Sequence, residues 1–139
     1  MANRIPKEFK KRLWDDWVTG KTFKLALFTS LSNCNTEGIS TYAACSSEVT
    51  NGAGTAYTAG GATVTPAASA YIDTFNVSVD ATDISWSSAT LSGTGARYAV
   101  LYETSIDIIV CVYDLLANYT VTNGTLTVSI NVDGLFNLI

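Results

Sequence analysis

Apolar residues recur every four positions at the start of the chain: Ile5, Phe9, Leu13 and Trp17, with Trp14 beside them. This spacing gathers them along one stripe of an α-helix and leaves Lys7, Lys10 and Lys11 elsewhere on its circumference. Pro6 suits the first helical position, where its missing N–H would have had no acceptor. Gly20 is a natural stop just past the helix end. From residue 22 the period falls to two. Phe23, Leu25 and Leu27 alternate with Lys24, Ala26 and Phe28, the pattern of a half-buried strand. Residues 30–61 are polar and broken by glycines, with one short element expected at 42–47. Strand resumes over 62–65 and ends at Pro66. Residues 70–79 read as one alternating strand. Short strands follow at 83–87 and 89–91, then a Ser92-Gly93-Thr94-Gly95 turn.

The C-terminal third is richer still in strand signals. The apolar runs 96–103 and 108–115 read as central strands. Asn123-Gly124 fits a type I′ hairpin turn, since both residues tolerate positive φ. In 125–132, Leu126, Val128, Ile130 and Val132 share one face, and Asp133-Gly134 leads into a last strand at 135–139. Seven to nine short strands separated by turns predict an all-β protein. The expected architecture is a single antiparallel β-sandwich or jelly-roll-like domain over 21–139, with a short basic amphipathic N-terminal helix or arm over 1–20.

Composition sharpens the picture. Of 139 residues, 47% are hydrophobic and only 14% charged, against about 25% charged in ordinary soluble domains. A surface short of charge lacks the repulsion and hydration that oppose association. Charge is also divided unevenly. Seven of the eight basic residues fall in the first 24 positions against three acids, a local net charge of +4, while the remaining 115 residues carry Arg97 and nine acids, a net −8. The acidic body argues against nucleic-acid binding.

There is no histidine, so the commonest general base and metal ligand are both missing. Cys34, Cys45 and Cys111 show no CxxC spacing and suggest no zinc site. Cys34 and Cys45 can pair across a loop or pack as small hydrophobes, and both readings stay open. The first 20 residues lack the uninterrupted apolar run of a secretory signal, and no stretch approaches the ~18 apolar residues of a membrane span. A protein made in a cytoplasm and kept there until assembly or release is expected.

Candidate chemistry is thin. Seven of the nine acids of the body (Asp73, Asp80, Asp83, Glu103, Asp107, Asp114 and Asp133) are scattered over its later part, with none of the pairing that glycoside hydrolysis requires. Asp80 and Asp83 lack the further ligands of a calcium loop. The glycine-rich stretches 52–54 and 59–61 carry no phosphate-binding ending. No enzymatic activity, metal or cofactor is expected. Three Asn-x-Ser/Thr triplets, at Asn76, Asn118 and Asn123, arise freely in a chain this rich in Ser and Thr. Trp86, inside an alternating strand, is expected in the core and not on a sugar-binding face. The N-terminal stripe has three readings: packing on the protein's own body or oligomer, docking into a partner's groove, or lying on a membrane surface. If it docks, Arg4, Lys7, Phe9, Lys10, Leu13, Trp14 and Trp17 are the candidate partner-binding residues.

Several segments carry a resemblance through their order. A helix ending in Trp14-Asp15-Asp16-Trp17-Val18-Thr19-Gly20 runs into Phe23-Lys24-Leu25-Ala26-Leu27-Phe28-Thr29. Glu48-Val49 and Ala56-Tyr57-Thr58-Ala59-Gly60-Gly61 follow, then Ile84-Ser85-Trp86-Ser87-Ser88-Ala89-Thr90-Leu91 and Ala96-Arg97-Tyr98-Ala99-Val100-Leu101-Tyr102. An Asn-Gly pair and Gly134-Leu135-Phe136 close the chain. This order resembles small virion structural proteins of tailed bacteriophages, in particular head decoration (cement) proteins. The resemblance implies a non-enzymatic protein on the capsid exterior, bound to the major capsid protein and to copies of itself. A homotrimer would suit the local three-fold positions of an icosahedral shell. A neck, tail or fibre-associated protein, or a carbohydrate-binding β-sandwich, is the alternative. The Cys34–Cys45 loop and the pronounced basic arm have no counterpart in the resemblance.

Overall fold

A computed structural model describes residues 5–50, 56–66, 70–71, 77–130 and 136–138. Among these residues one helix, α1 (Lys7–Val18), precedes seven strands: β1 (Phe23–Phe28), β2 (Ala62–Val64), β3 (Ala70–Tyr71), β4 (Val77–Val79), β5 (Ile84–Glu103), β6 (Ile108–Val128) and β7 (Phe136–Leu138). A single 3-10 turn spans Tyr42–Ala44. The fold is all-β, as the alternation of the sequence predicts. A four-stranded antiparallel sheet has the order β2-β1-β5-β6, and a three-stranded one the order β3-β4-β7. The larger sheet curls until it approaches a closed barrel.

Both faces of β1 are buried, which corrects the half-buried reading. Phe23, Leu25 and Leu27 enter the main core with Tyr57, Val64, Trp86, Leu91 and Leu101. Ala26 and Phe28 point the other way into a second cluster with Cys34, Val100 and Tyr102, flanked by Tyr42, Cys45, Tyr98, Ile109 and Val112. The cover on that second face is the polar-looking segment 30–48, folded back over the sheet. Thr29 N donates to Ser47 O (3.0 Å), Val49 N to Leu27 O (2.9 Å) and Ile109 N to Ser40 O (2.9 Å). Phe28, which alternation alone would expose, is therefore 1% exposed.

The C-terminal strands are fewer and longer than expected. β5 runs through the Ser92–Gly95 position, and β6 runs through Asn123-Gly124, where a hairpin turn was expected. Gly124 lies opposite Ala89 inside the ladder. Asn123 does adopt the left-handed conformation its type allows (φ 46°), as do Ser88 (56°), Leu116 (66°) and Gly95 (67°). The pairing shifts register between Trp86 and Ala89, Ala89 and Leu91, Leu91 and Ala96, and Ala96 and Tyr98. Bulges of this kind bend a strand without reversing it. Segment 108–115 is also not central, because β6 is the edge of its sheet.

The stretch read as one strand over 70–79 is two. Ala70 pairs with Ser78 and Tyr71 with Val77, so the chain folds back on itself. Asp73 and Phe75 lie outside the described residues, as does the expected Asp133-Gly134 turn. β7 then pairs with β4, with Val79 opposite Phe136.

Candidate functional site

The helix begins where Pro6, as N-cap and not as first helical residue, offers its carbonyl to Phe9 N (3.1 Å) and Lys10 N (3.2 Å). It ends where Lys21 N donates to Val18 O (3.0 Å) and Gly20 takes φ 74°. Four residues advance a helix by about 400°, so an every-fourth stripe drifts about 40° per step. Ile5 precedes the helix; from Phe9 to Trp17 the drift is about 80°, and Trp14 lies about 140° from Phe9. The stripe is thus split between two faces. Trp14 is 5% exposed, whereas Ile5, Phe9 and Leu13 are 54%, 55% and 53% exposed.

Trp14 and Trp17 hold the helix to the body. Their ring centroids are 5.5 Å apart, and they stand 5.8 and 5.5 Å from Phe23 at the start of β1. Val18 packs beside them, and the helix lies against β4. Of the candidate partner-binding residues, Trp14 and Trp17 are internal anchors and Phe9 and Leu13 face outward. Lys7 and Lys10 are half-buried on the flank, and Arg4 lies outside the described residues. On the same helix Lys11 pairs with Asp15 one turn on, at 2.5 Å.

A second constellation forms around Glu48. Its Oε1 accepts from Tyr57 OH (2.7 Å) and Gly60 N (2.7 Å), and its Oε2 from Tyr42 OH (2.5 Å). Tyr57 OH accepts in turn from Leu27 N (2.8 Å). Tyr102 OH donates to Gly60 O (2.9 Å), and its ring stacks on Tyr42 with centroids 4.3 Å apart. Burial, then the neighbouring Glu48 carboxylate, raises the Tyr42 phenol above its ordinary value. Burial does the same to Tyr57 and Tyr102. These phenols stay protonated as donors, and the carboxylate accepts three hydrogen bonds at once. The arrangement fastens residues 42–48 and 57–60 to β1 and β5. No sequence spacing pointed to it, because Tyr42, Glu48, Gly60 and Tyr102 meet only once the segment has folded over the sheet.

Glu103 closes the β5–β6 turn. Its carboxylate accepts from Ser105 N (3.0 Å), Ser105 Oγ (2.7 Å) and Ile106 N (3.0 Å). Burial would raise this carboxyl, but the bonds from Ser105 and Ile106 and the charge of Lys21 outweigh it and hold the group below its ordinary value. The side chain is covered by its own turn, close to the surface.

The outer edge of β6 is the other exposed surface. The segment containing Thr41 bridges it at Ile108, and among the described residues no strand pairs with it further along. Its 21 residues include one charge, Asp114, which Arg97 grips with two bonds of 2.8 and 2.9 Å. Leu116 is 82% and Tyr119 47% exposed. Leu115, Tyr119, Leu126 and Val128 line an open groove of about 240 Å³. Among the described residues no group of three or more metal-ligating side chains comes together, and no helix is long and apolar enough to cross a membrane. No known protein family, curated protein or solved structure matches the chain.

Proposed function

We propose that this protein is a virion structural protein, a decoration (cement) protein that binds and stabilises the major capsid protein lattice. The observation that carries the reading is the outward face of α1. Phe9 and Leu13 stand more than half exposed on a helix anchored by Trp14 and Trp17, as does Ile5 just before its N-cap. Aromatic and aliphatic side chains on a preorganised helix dock at little entropic cost. The flanking cations of the helix suit an acidic partner surface. The open, nearly uncharged edge of β6 supports association with further copies, because unpaired strand edges without Lys or Pro invite pairing. Several modest contacts acting together hold a lattice more firmly than any one of them.

The finer fold belongs to the same proposal. Val79 of β4 shares its core with Leu25 and Trp86 of the larger sheet, which favours a two-layer sandwich with a strongly curled main layer over a jelly roll. Trp86 is 5% exposed, so the carbohydrate-binding alternative would have to stack sugars on exposed tyrosines such as Tyr119, which is 47% exposed. Counting copies in purified particles by quantitative mass spectrometry tests the function. Stoichiometric amounts relative to the major capsid protein are expected. A handful of copies per particle points instead to a neck, tail or fibre position, and absence from particles overturns the virion reading.

A further inference from the structure

We propose that Cys34 and Cys45 are a latent disulfide, closed by a low-molecular-weight disulfide such as oxidised glutathione when the protein leaves a reducing compartment. Both are free thiols in the structure. They share the second apolar cluster, on the segment that covers Phe28, Val100 and Tyr102. Their immediate neighbours are stitched together. Ser46 N donates to Asn33 Oδ1 (2.7 Å), Ser46 Oγ to the same oxygen (3.1 Å), Asn33 N to Ser46 Oγ (3.4 Å) and Asn33 Nδ2 to Ala44 O (3.1 Å). The bonds from Asn33 to Ser46 and Ala44 hold the stretches that carry residues 34 and 45 side by side, and a disulfide requires such proximity.

The two thiols differ in access, which orders the chemistry. Cys45 is half-buried and Cys34 is 2% exposed. The Cys45 thiolate attacks one sulfur of oxidised glutathione, forming a mixed disulfide and expelling one glutathione thiolate. Cys34 then loses its proton and attacks the Cys45 sulfur from inside the pocket, expelling the second glutathione. The protein gives up two electrons and two protons, and one oxidised glutathione becomes two reduced ones. Burial, and then the neighbouring Cys34, pushes the Cys45 thiol up to about 11. Thiolate is scarce at neutral pH as a result, so exchange is slow there, and a mostly reduced glutathione pool holds the pair as thiols. Cys111, on β6, packs against the main core and not in this cluster, and serves as an internal control.

The test is incubation of the folded, purified protein with oxidised glutathione, followed by alkylation in denaturant, thiol counting and peptide mapping. The expected result is one remaining thiol, at Cys111, and a single Cys34–Cys45 cross-linked peptide. Closing this short loop should also raise the melting temperature by about 10 °C, reversibly with a reductant. Three surviving thiols, a retained glutathione adduct or a link to Cys111 would each overturn the proposal. A Cys45→Ser variant that keeps two free thiols under the same treatment agrees with it. The experiment needs no virus particle, so its outcome is independent of the virion reading.

Discussion

Two glycines with nearly the same backbone angle separate conformational strain from steric exclusion. Gly20 has φ +74° and an added Cβ there would meet nothing within 4 Å. Gly61 has φ +75°, but its Cβ would press into the Leu25 carbonyl oxygen and lie 2.5 Å from the Leu25 carbonyl carbon and 2.6 Å from Ala26 Cα. Replacing either with Ala imposes left-handed strain of about 1–2 kcal/mol, offset by about 0.4–1 kcal/mol from a less flexible unfolded chain. Gly20→Ala should therefore cost about 1 kcal/mol. At Gly61 the obstacle is the backbone of β1, which no rotamer change can clear. An overpacking cost of about 1–3 kcal/mol is added, for a total of about 2–4 kcal/mol. Urea unfolding followed by tryptophan fluorescence measures both variants. For a chain of this size the difference corresponds to a melting point roughly 5–10 °C lower for Gly61→Ala than for Gly20→Ala. Equal losses in the two variants would refute the close approach of Gly61 to β1.

The two faces of α1 should separate stability from binding: Trp14→Ala is expected to cost about 3–5 kcal/mol, while Leu13→Ser changes stability by no more than about 0.5 kcal/mol yet weakens binding to capsids in a co-sedimentation assay. Glu48→Gln leaves Tyr42, Tyr57 and Gly60 competing for a single acceptor oxygen and should cost about 1–3 kcal/mol by chemical denaturation, more than Tyr42→Phe at about 0.5–1.5 kcal/mol. Because Tyr42, Tyr57 and Tyr102 have folded pKa values raised above the ordinary 10.0, the stability they contribute is fully present below pH 10.0 and falls as pH rises beyond it. Alkaline unfolding with late, cooperative phenolate absorbance is the expected signature, and early independent titration of these phenols would contradict the clamp. Glu103 has the opposite sign: its folded value lies below the ordinary 4.5, so its contribution is complete above that pH and is lost as pH falls through the folded value, a loss that Glu103→Gln should remove from an acid titration of stability.

The period-two alternation identified the strand content because it reflects a local property, the pleat. It placed Phe23, Leu25, Leu27 and Trp86 inside correctly. Burial of Phe28 and Ala26 was not legible, because their cover is a segment whose own sequence, 30–48, looks like solvent-exposed loop. Asn123-Gly124 advertised a left-handed backbone, which the structure contains, but a left-handed residue serves a bulge as well as a turn, and only cross-strand pairing decides between them. The helix stripe was visible as a repeat of four. The turning of Trp14 and Trp17 inward and of Phe9 and Leu13 outward follows from the mismatch between four residues and 3.6 per turn, together with the aromatic grip of Phe23. The Glu48 cluster left no mark in the sequence, since its members are separated by up to 60 positions and share no spacing rule.

The β5–β6 hairpin has a consequence for the order in which the chain acquires its shape. Its strands are joined by only residues 104–107, so they can zip outward from the Glu103 turn with little loss of chain entropy. β1 must instead find β5 across sequence separations of 70 to 80, from Phe28 opposite Tyr98 to Phe23 opposite Glu103. Closing so large a loop is repaid only after the hairpin offers a finished template. The nucleus of folding is accordingly expected at the turn, with φ-values near one at Glu103 and Ser105 and near zero along β1, leaving α1 and the segment over Phe28 as the last pieces to dock.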